Sequence, residues 1–325
     1  MTTIEVQTPP RGAQVRRYLA RYAIVWVTLA LFIFLAATTQ GFLTTQNLTN
    51  ILAQQATVLI VAVPFTLLMI AGSFDISLSA VYVAAPIVGI QLQIATGSIW
   101  LAVFGGIAFG IVCGVVNAIV VVRFNINSFI ATLATSFIIF GVGYLVSGQS
   151  IVVPTDPDFR GLAMTRIFGI TSATWFALIV VAIFWVLLAR TRYGRYVYAT
   201  GASPEAARLS GVRAGWIVAS TFLLAGGAAG FAGVLLNASR SVSAQASDDF
   251  TFVFGVIAAV VVGGTSIAGG SGAVWRTVVG VVFIALLNNG FNLNQVDPII
   301  QRIILGCVIL LAVGIDAVTR RGKAG

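Results

Sequence analysis

The chain has 325 residues, 59% of them hydrophobic and only 8% charged, where a soluble domain carries roughly 25% charged residues; most of it is therefore solvated by lipid, which excludes a water-soluble globular fold. The net charge of +9 comes from 18 basic and 9 acidic residues, and because the arginines fall between apolar runs they read as orientation signals, with no nucleic-acid partner expected. There is no histidine, and Lys323 is the sole lysine, which removes histidine-based metal sites, the usual proton shuttle and the common nucleophile–base pairs.

In chain order, residues 1–17 form a polar basic tail with Pro9, Pro10, Arg11, Arg16 and Arg17. Apolar runs of membrane-spanning length follow at about 18–38, 51–71, 77–95, 98–122, 129–147, 173–189, 215–237, 251–265, 273–290 and 299–317, each near the ~20 residues a bilayer requires. Residues 318–325 form a second tail. The first run is too long for a cleaved signal segment and is expected to be retained. Cys113 and Cys307 lie in apolar runs and read as buried small hydrophobes.

Two stretches break the apolar pattern: Gly72-Ser73-Phe74-Asp75-Ile76-Ser77-Leu78-Ser79, and 263–272 with Gly263, Gly264, Gly269 and Gly270. Polar backbone at membrane depth is tolerated only where it lines water or is buried in protein, so these glycines are hinge or gate candidates, with plain turns as the alternative. Asp75 is either a helix cap ahead of Ser77 or an intramembrane functional acid. Asn117 in the fourth span, and Asn288, Asn289, Phe291 and Asn292 at the outer end of the ninth, are pathway candidates. Amides can meet sugar-like hydroxyls and Phe291 an apolar sugar face; equally, buried amides glue helices together. Glycines at 105, 106, 110 and 114, and at 226, 227, 230 and 233, read as close helix packing.

The basic loop 190–213 contains a complete small helix. Ser203 caps it, Pro204 suits its first position, Glu205 sits at the positive dipole end with Arg208 in pairing reach, and Gly211 closes it in a left-handed turn. Leu209 is an apolar knob between Ala206, Ala207 and Ser210, so the segment looks like a plug for a soluble partner. With the N-terminus inside, fourteen of the 18 basic residues are cytoplasmic and Arg160, Arg166, Arg240 and Arg302 are outside. This bias supports an even number of spans and places 190–213 in the cytoplasm. Two outer loops, 148–172 (Pro154, Asp156, Asp158, Arg160) and 238–250 (Ser239, Arg240, Ser241, Ser243, Gln245, Asp248, Asp249), are either solvated loops or a docking surface for an external protein. The expectation is an all-α integral membrane protein of about ten spans, with both termini inside. The phosphate-cradling G-x-x-x-x-G-K-[ST] pattern is absent, so any ATP that drives the protein is hydrolysed by another chain, and an enzyme is not expected.

Four stretches carry a resemblance: 72–79; Asn127-Ser128-Phe129-Ile130-Ala131-Thr132-Leu133-Ala134-Thr135; Arg192-Tyr193-Gly194-Arg195-Tyr196-Val197-Tyr198-Ala199-Thr200-Gly201 leading into Glu205–Gly211; and 262–270 leading to Leu287-Asn288-Asn289-Gly290. Together they resemble the membrane permease subunit of a bacterial ABC sugar importer, in the ribose-permease-like group. The first departs from that group's Gly-Gly-Ile-Asp-Leu-Ser-Val-Gly at Ser73 and at Leu78-Ser79, and the Glu205-to-Gly211 spacing resembles the importers' coupling motif without its Ile-x-Leu-Pro part. The resemblance implies a multi-pass protein of the bacterial inner membrane that pairs with a second permease copy or a related chain. It further implies cytoplasmic ATP-binding subunits docked on 203–211 and an external solute-binding protein. ATP and Mg are expected on the partner subunit, with no cofactor on this chain. A monosaccharide or sugar alcohol is the implied substrate, with a nucleoside or furanone as the alternative within importers. A secondary carrier working without ATP, or a purely structural membrane protein, are the alternatives outside them.

Overall fold

The computed structural model describes residues 22–239 and 244–324. The tail at 1–17, together with Arg21, Arg240, Ser241 and Ser243, lies outside the described residues, as do the side chains of Asp316, Arg320, Arg321 and Lys323.

In chain order the helices are α1 (Ala23–Thr38), α2 (Thr45–Ile70), α3 (Leu78–Thr96), α4 (Ile99–Ala118), α5 (Ser128–Ser147), α6 (Gly161–Met164), α7 (Ser172–Arg190), α8 (Arg192–Ala202), α9 (Pro204–Leu209), α10 (Ala214–Ser239), α11 (Thr251–Val262), α12 (Val274–Leu293) and α13 (Pro298–Ala324). Each of the ten apolar runs holds one of them. Among the described residues, seven are long and apolar enough to cross a membrane: α2, α3, α4 with its π-helical extension to Arg123, α5, α7, α10 and α12. Helices α1, α11 and the Pro298–Leu311 part of α13 are apolar but shorter. The protein is an all-α, multi-pass membrane protein.

Local chemistry sets the ends. Thr44 Oγ1 accepts the Asn47 N–H (3.3 Å) ahead of α2, and Asn127 Oδ1 accepts the Phe129 N–H (3.0 Å) ahead of α5. Gly97, at φ +70°, closes α3 in the left-handed conformation. The segment 190–213 departs from expectation. It is not a loop around one short helix but two successive helices, α8 and α9. The last helix also runs past residue 317 to Ala324.

Helices α2, α3 and α10 form the centre, each more than half buried. Helix α10 lies backbone to backbone on α4, where Gly110 faces the carbonyl of Gly226, and Gly230 that of Gly106. A Cβ at Gly110, Gly226 or Gly230 would overlap main chain, and one at Gly106 would overlap the Val234 side chain, so the seam needs glycine. A Gly226→Leu change is expected to force α4 and α10 apart at a cost of roughly 3 kcal/mol, the upper end for overpacking. Gly141→Leu, with nothing within 4 Å of its Cβ position, is the matched control. Thermal melts of the detergent-purified proteins should separate the two; equal melting would discard the seam.

The segment 148–172 is not simply solvated. It holds a 3-10 turn (Pro157–Arg160), α6 and a hairpin pairing β1 (Arg166–Ile167) with β2 (Ile170–Thr171). Gln93 of α3 pins it, donating to Thr155 Oγ1 (3.0 Å) and accepting the Thr155 N–H (2.9 Å), while Phe159 is fully buried.

Candidate functional site

Helix α9 is built as its residues dictate. Ser203 Oγ accepts the Ala206 N–H (3.3 Å), Pro204 opens the helix, and Gly211 sits at φ +82°, donating its N–H to Arg208 O (2.9 Å). Ala207 is buried beneath. Glu205, Ala206, Arg208 and Ser210 are exposed, and Leu209 is 91% exposed. The expected Glu205–Arg208 pair does not form. Arg208 Nε instead makes a long contact (3.5 Å) to Pro204 O on its own helix, because a charge pair in water gains little over that alternative.

Helix α8 ties this knob to the membrane domain. Thr191 Oγ1 caps it by accepting the Gly194 N–H (3.3 Å). Tyr193 shares a hydrogen bond with Ser220 of α10 (2.8 Å), and Tyr198 donates to Gly272 O (2.8 Å). At its end Gly201 packs against the Ile70 carbonyl and the Gly270 N–H, and Gly270 N donates to Ile70 O (2.8 Å). A Cβ on Gly269 would lie 3.0 Å from both Gly201 O and Gly72 Cα. Of the hinge candidates, then, Gly72, Gly269 and Gly270 meet in one backbone junction directly behind α9. Gly263 and Gly264 lie apart from it, at the end of α11, where Gly263 packs on the Arg276 carbonyl.

Two pathway candidates meet as well. Asp75 and Asn117, 42 residues apart, are both buried. Asp75 Oδ1 accepts the Ser77 N–H (2.9 Å) and hydroxyl (2.5 Å), which sets the turn into α3. Asn117 Nδ2 reaches both carboxylate oxygens (3.3 and 3.2 Å) and Ser77 Oγ (2.7 Å), while its Oδ1 accepts from Thr135 (2.7 Å). Thr132 Oγ1 accepts the Ile76 N–H (3.0 Å), and Ser128 Oγ the Phe74 N–H (3.0 Å). The break at 72–77 is thereby satisfied by side chains of α4 and α5, as buried polar groups require.

The amide cluster at the end of the ninth run disperses. Asn289 forms a reciprocal amide pair with Asn47 of α2 (3.1 and 2.8 Å), which joins α12 to α2. Asn292 Oδ1 accepts from Gln301 (3.4 Å), and Phe291 lines an apolar groove with Leu31, Phe34 and Leu287. None of Asn288, Asn289, Phe291 and Asn292 borders the polar cavity of about 420 Å³ that opens elsewhere, among Tyr82, Asn237, Gln245, Ser247, Asp249, Thr251 and Phe252.

The family described as branched-chain amino acid transport system / permease component matches residues 47–313. The chain belongs to this permease family. Over 315 residues the permease is 34% identical to the galactose/methyl galactoside import permease protein of Escherichia coli (strain K12), a match covering 91% of this chain and 93% of that one. With the ribose import permease protein of the same strain it shares 35% identity over 297 residues, 89% and 91% of the two chains. It is 32% identical over 303 residues to the L-arabinose ABC transporter permease protein of Azospirillum brasilense, 93% and 89% of the two chains. No solved structure matches the permease.

Two features of the permease escaped sequence reasoning. Helix α8 had a local signal in the Thr191 cap and the three-residue spacing of buried Gly194, Val197 and Thr200. The cavity had only an indirect one, the polar residues Gln245, Ser247, Asp248 and Asp249 ahead of the shortest apolar run.

Proposed function

We propose that this permease is the membrane subunit of an ATP-driven importer, forming the route by which a monosaccharide or sugar alcohol, delivered by an external binding protein, enters the bacterial cytoplasm. The single observation that carries the reading is the capped helix α9, which holds Leu209 91% exposed at the end of the chain's arginine-rich side. A large apolar side chain presented on a rigid water-facing helix fits a groove on a soluble partner. Residues Ser203, Pro204, Glu205, Ala206, Ala207, Arg208, Leu209, Ser210 and Gly211 form that contact with the ATP-binding subunit, which carries ATP and Mg. The names of the relatives, import permeases for galactose, ribose and arabinose, support a sugar substrate. The ten apolar helices and the arginine bias support ten crossings with both termini inside and α9 in the cytoplasm, in the inner membrane and beside a second permease copy.

Closure of the ATP-binding subunits moves α9, and the junction of Gly201 with Ile70, Gly72 and Gly270 passes that motion to the broken segments. Transport follows from the differential stability of outward-open and inward-open states. The decisive experiment is purification of the tagged permease from its native membranes in mild detergent, then reconstitution in vesicles. An ATP-binding chain is expected to copurify, and sugar uptake to require ATP and the binding protein. A chain that purifies alone and moves solute without ATP is a secondary carrier.

A further inference from the structure

Helix α11 has 12 residues, so it rises only about 18 Å, well short of the ~30 Å hydrocarbon core. The chain ahead of it, 245–250, is not helical. It is held by the Val152–Ala244 bridge (2.9 and 2.8 Å) and by Ser79 Oγ donating to Asp249 O (2.6 Å). Non-helical backbone beside spanning helices is tolerated where it lines water, and here it borders the cavity of about 420 Å³, a volume within the usual range for small-molecule sites.

The lining sets apolar surface from Tyr82, Val83, Leu236 and Phe252 beside polar groups. Tyr82 and Phe252 stack with ring centroids 3.7 Å apart and planes 4° apart, giving a flat apolar wall. Asn237, which is 9% exposed, spends its Nδ2 on Gly233 O (3.1 Å), and its Oδ1 accepts no hydrogen bond among the described residues. Gln245, Ser247 and Thr251 add an amide and two hydroxyls. Asp249 Oδ1 accepts the Thr251 N–H (2.8 Å), so the carboxylate is fixed at the start of α11. Among the described residues, no basic side chain lines the cavity.

We infer that this cavity is a substrate-holding site within the permease itself, built for an uncharged polyhydroxylated ring and closed to anions. The inference rests on the importer reading above and adds where the solute is held and what is refused. The ring's C–H face packs on the aromatic wall and its hydroxyls meet the amides, hydroxyls and carboxylate. A phosphorylated sugar or an amino acid brings a negative charge that finds no cation among the described residues and faces Asp249. The permease thus contributes to selectivity beyond what its binding protein confers.

The test is saturation-transfer NMR on the full-length permease in lipid nanodiscs, with D-galactose, D-ribose, glucose 6-phosphate and L-leucine as probes. Neutral sugars are expected to give signal, and leucine and glucose 6-phosphate none. Asn237→Leu and Gln245→Ala are each expected to weaken sugar binding by about tenfold, the worth of one hydrogen bond. Gln245 is exposed, so its variant keeps the fold. Asp249→Asn retains an oxygen for the Thr251 N–H and is expected to admit glucose 6-phosphate. Absence of signal from both neutral sugars, unchanged binding in both amide variants, or leucine binding as well as sugar would overturn the site. The two readings fail separately. ATP-driven uptake with sugar binding indifferent to residues 237 and 245 removes only the site, whereas sugar binding through those residues with ATP-independent transport removes only the importer.

Discussion

Leu209→Asp is expected to abolish ATP-driven uptake while leaving the membrane domain intact. Leu209 is 91% exposed on a six-residue helix, so it contributes almost nothing to the fold of its own chain. Seating a leucine in a partner's apolar groove is worth about 1.5–3 kcal/mol, and placing a carboxylate there adds a desolvation cost of similar or greater size. The combined loss predicts that association with the ATP-binding subunit falls by a factor on the order of 10³. Leu209→Met conserves volume and apolarity and is expected to retain uptake. Copurification of the ATP-binding subunit and uptake in reconstituted vesicles read the effect, and melting of the isolated permease should be the same for all three proteins. Normal uptake by the aspartate variant would withdraw α9 as the contact.

Asn117→Leu is expected to be among the most destabilising single changes in the membrane domain. It removes the donors that reach both Asp75 oxygens and Ser77 Oγ, and leaves the Thr135 hydroxyl only its bond to Thr132 O (3.1 Å). A hydrogen bond to a carboxylate is worth about 1.5–3 kcal/mol, and the orphaned groups stay buried without water. Asp75→Asn is expected to cost less alone, since its remaining oxygen still accepts the Ser77 N–H. The two changes share one network, so their effects should be non-additive by about 1 kcal/mol or more. A double-mutant cycle on detergent-solubilised protein measures this; strict additivity would show that Asp75 and Asn117 act independently, leaving Asp75 as a turn-setting residue only.

Both predictions use residues that the sequence had singled out, but for reasons of different reach. Ser203, Pro204 and Gly211 announce α9 because a cap, a first-turn proline and a left-handed glycine act within nine residues of one another. Asp75 and Asn117 each stood out as polar groups in apolar runs, yet nothing local says that they touch. Leu209's exposure was legible; the absence of a Glu205–Arg208 pair was not, because an exposed ion pair competes on near-equal terms with water and backbone carbonyls.

What the sequence determined by itself is therefore what short-range physics controls. In lipid the backbone must satisfy its own hydrogen bonds, so every long apolar run became a helix, and the glycine spacings in α4 and α10 announced a close seam. Tertiary structure alone decided the long-range meetings: Asn47 with Asn289 across 242 residues, Gly72 and Gly270 with Gly201 behind α9, and the cavity that gathers Tyr82, Asn237, Gln245, Asp249 and Phe252. Those juxtapositions follow from which helices pack together and how deep each sits. A short helix such as α11 leaves polar chain beside longer apolar helices, and only the neighbours it acquires in the fold determine whether that chain is sealed in protein or borders a cavity.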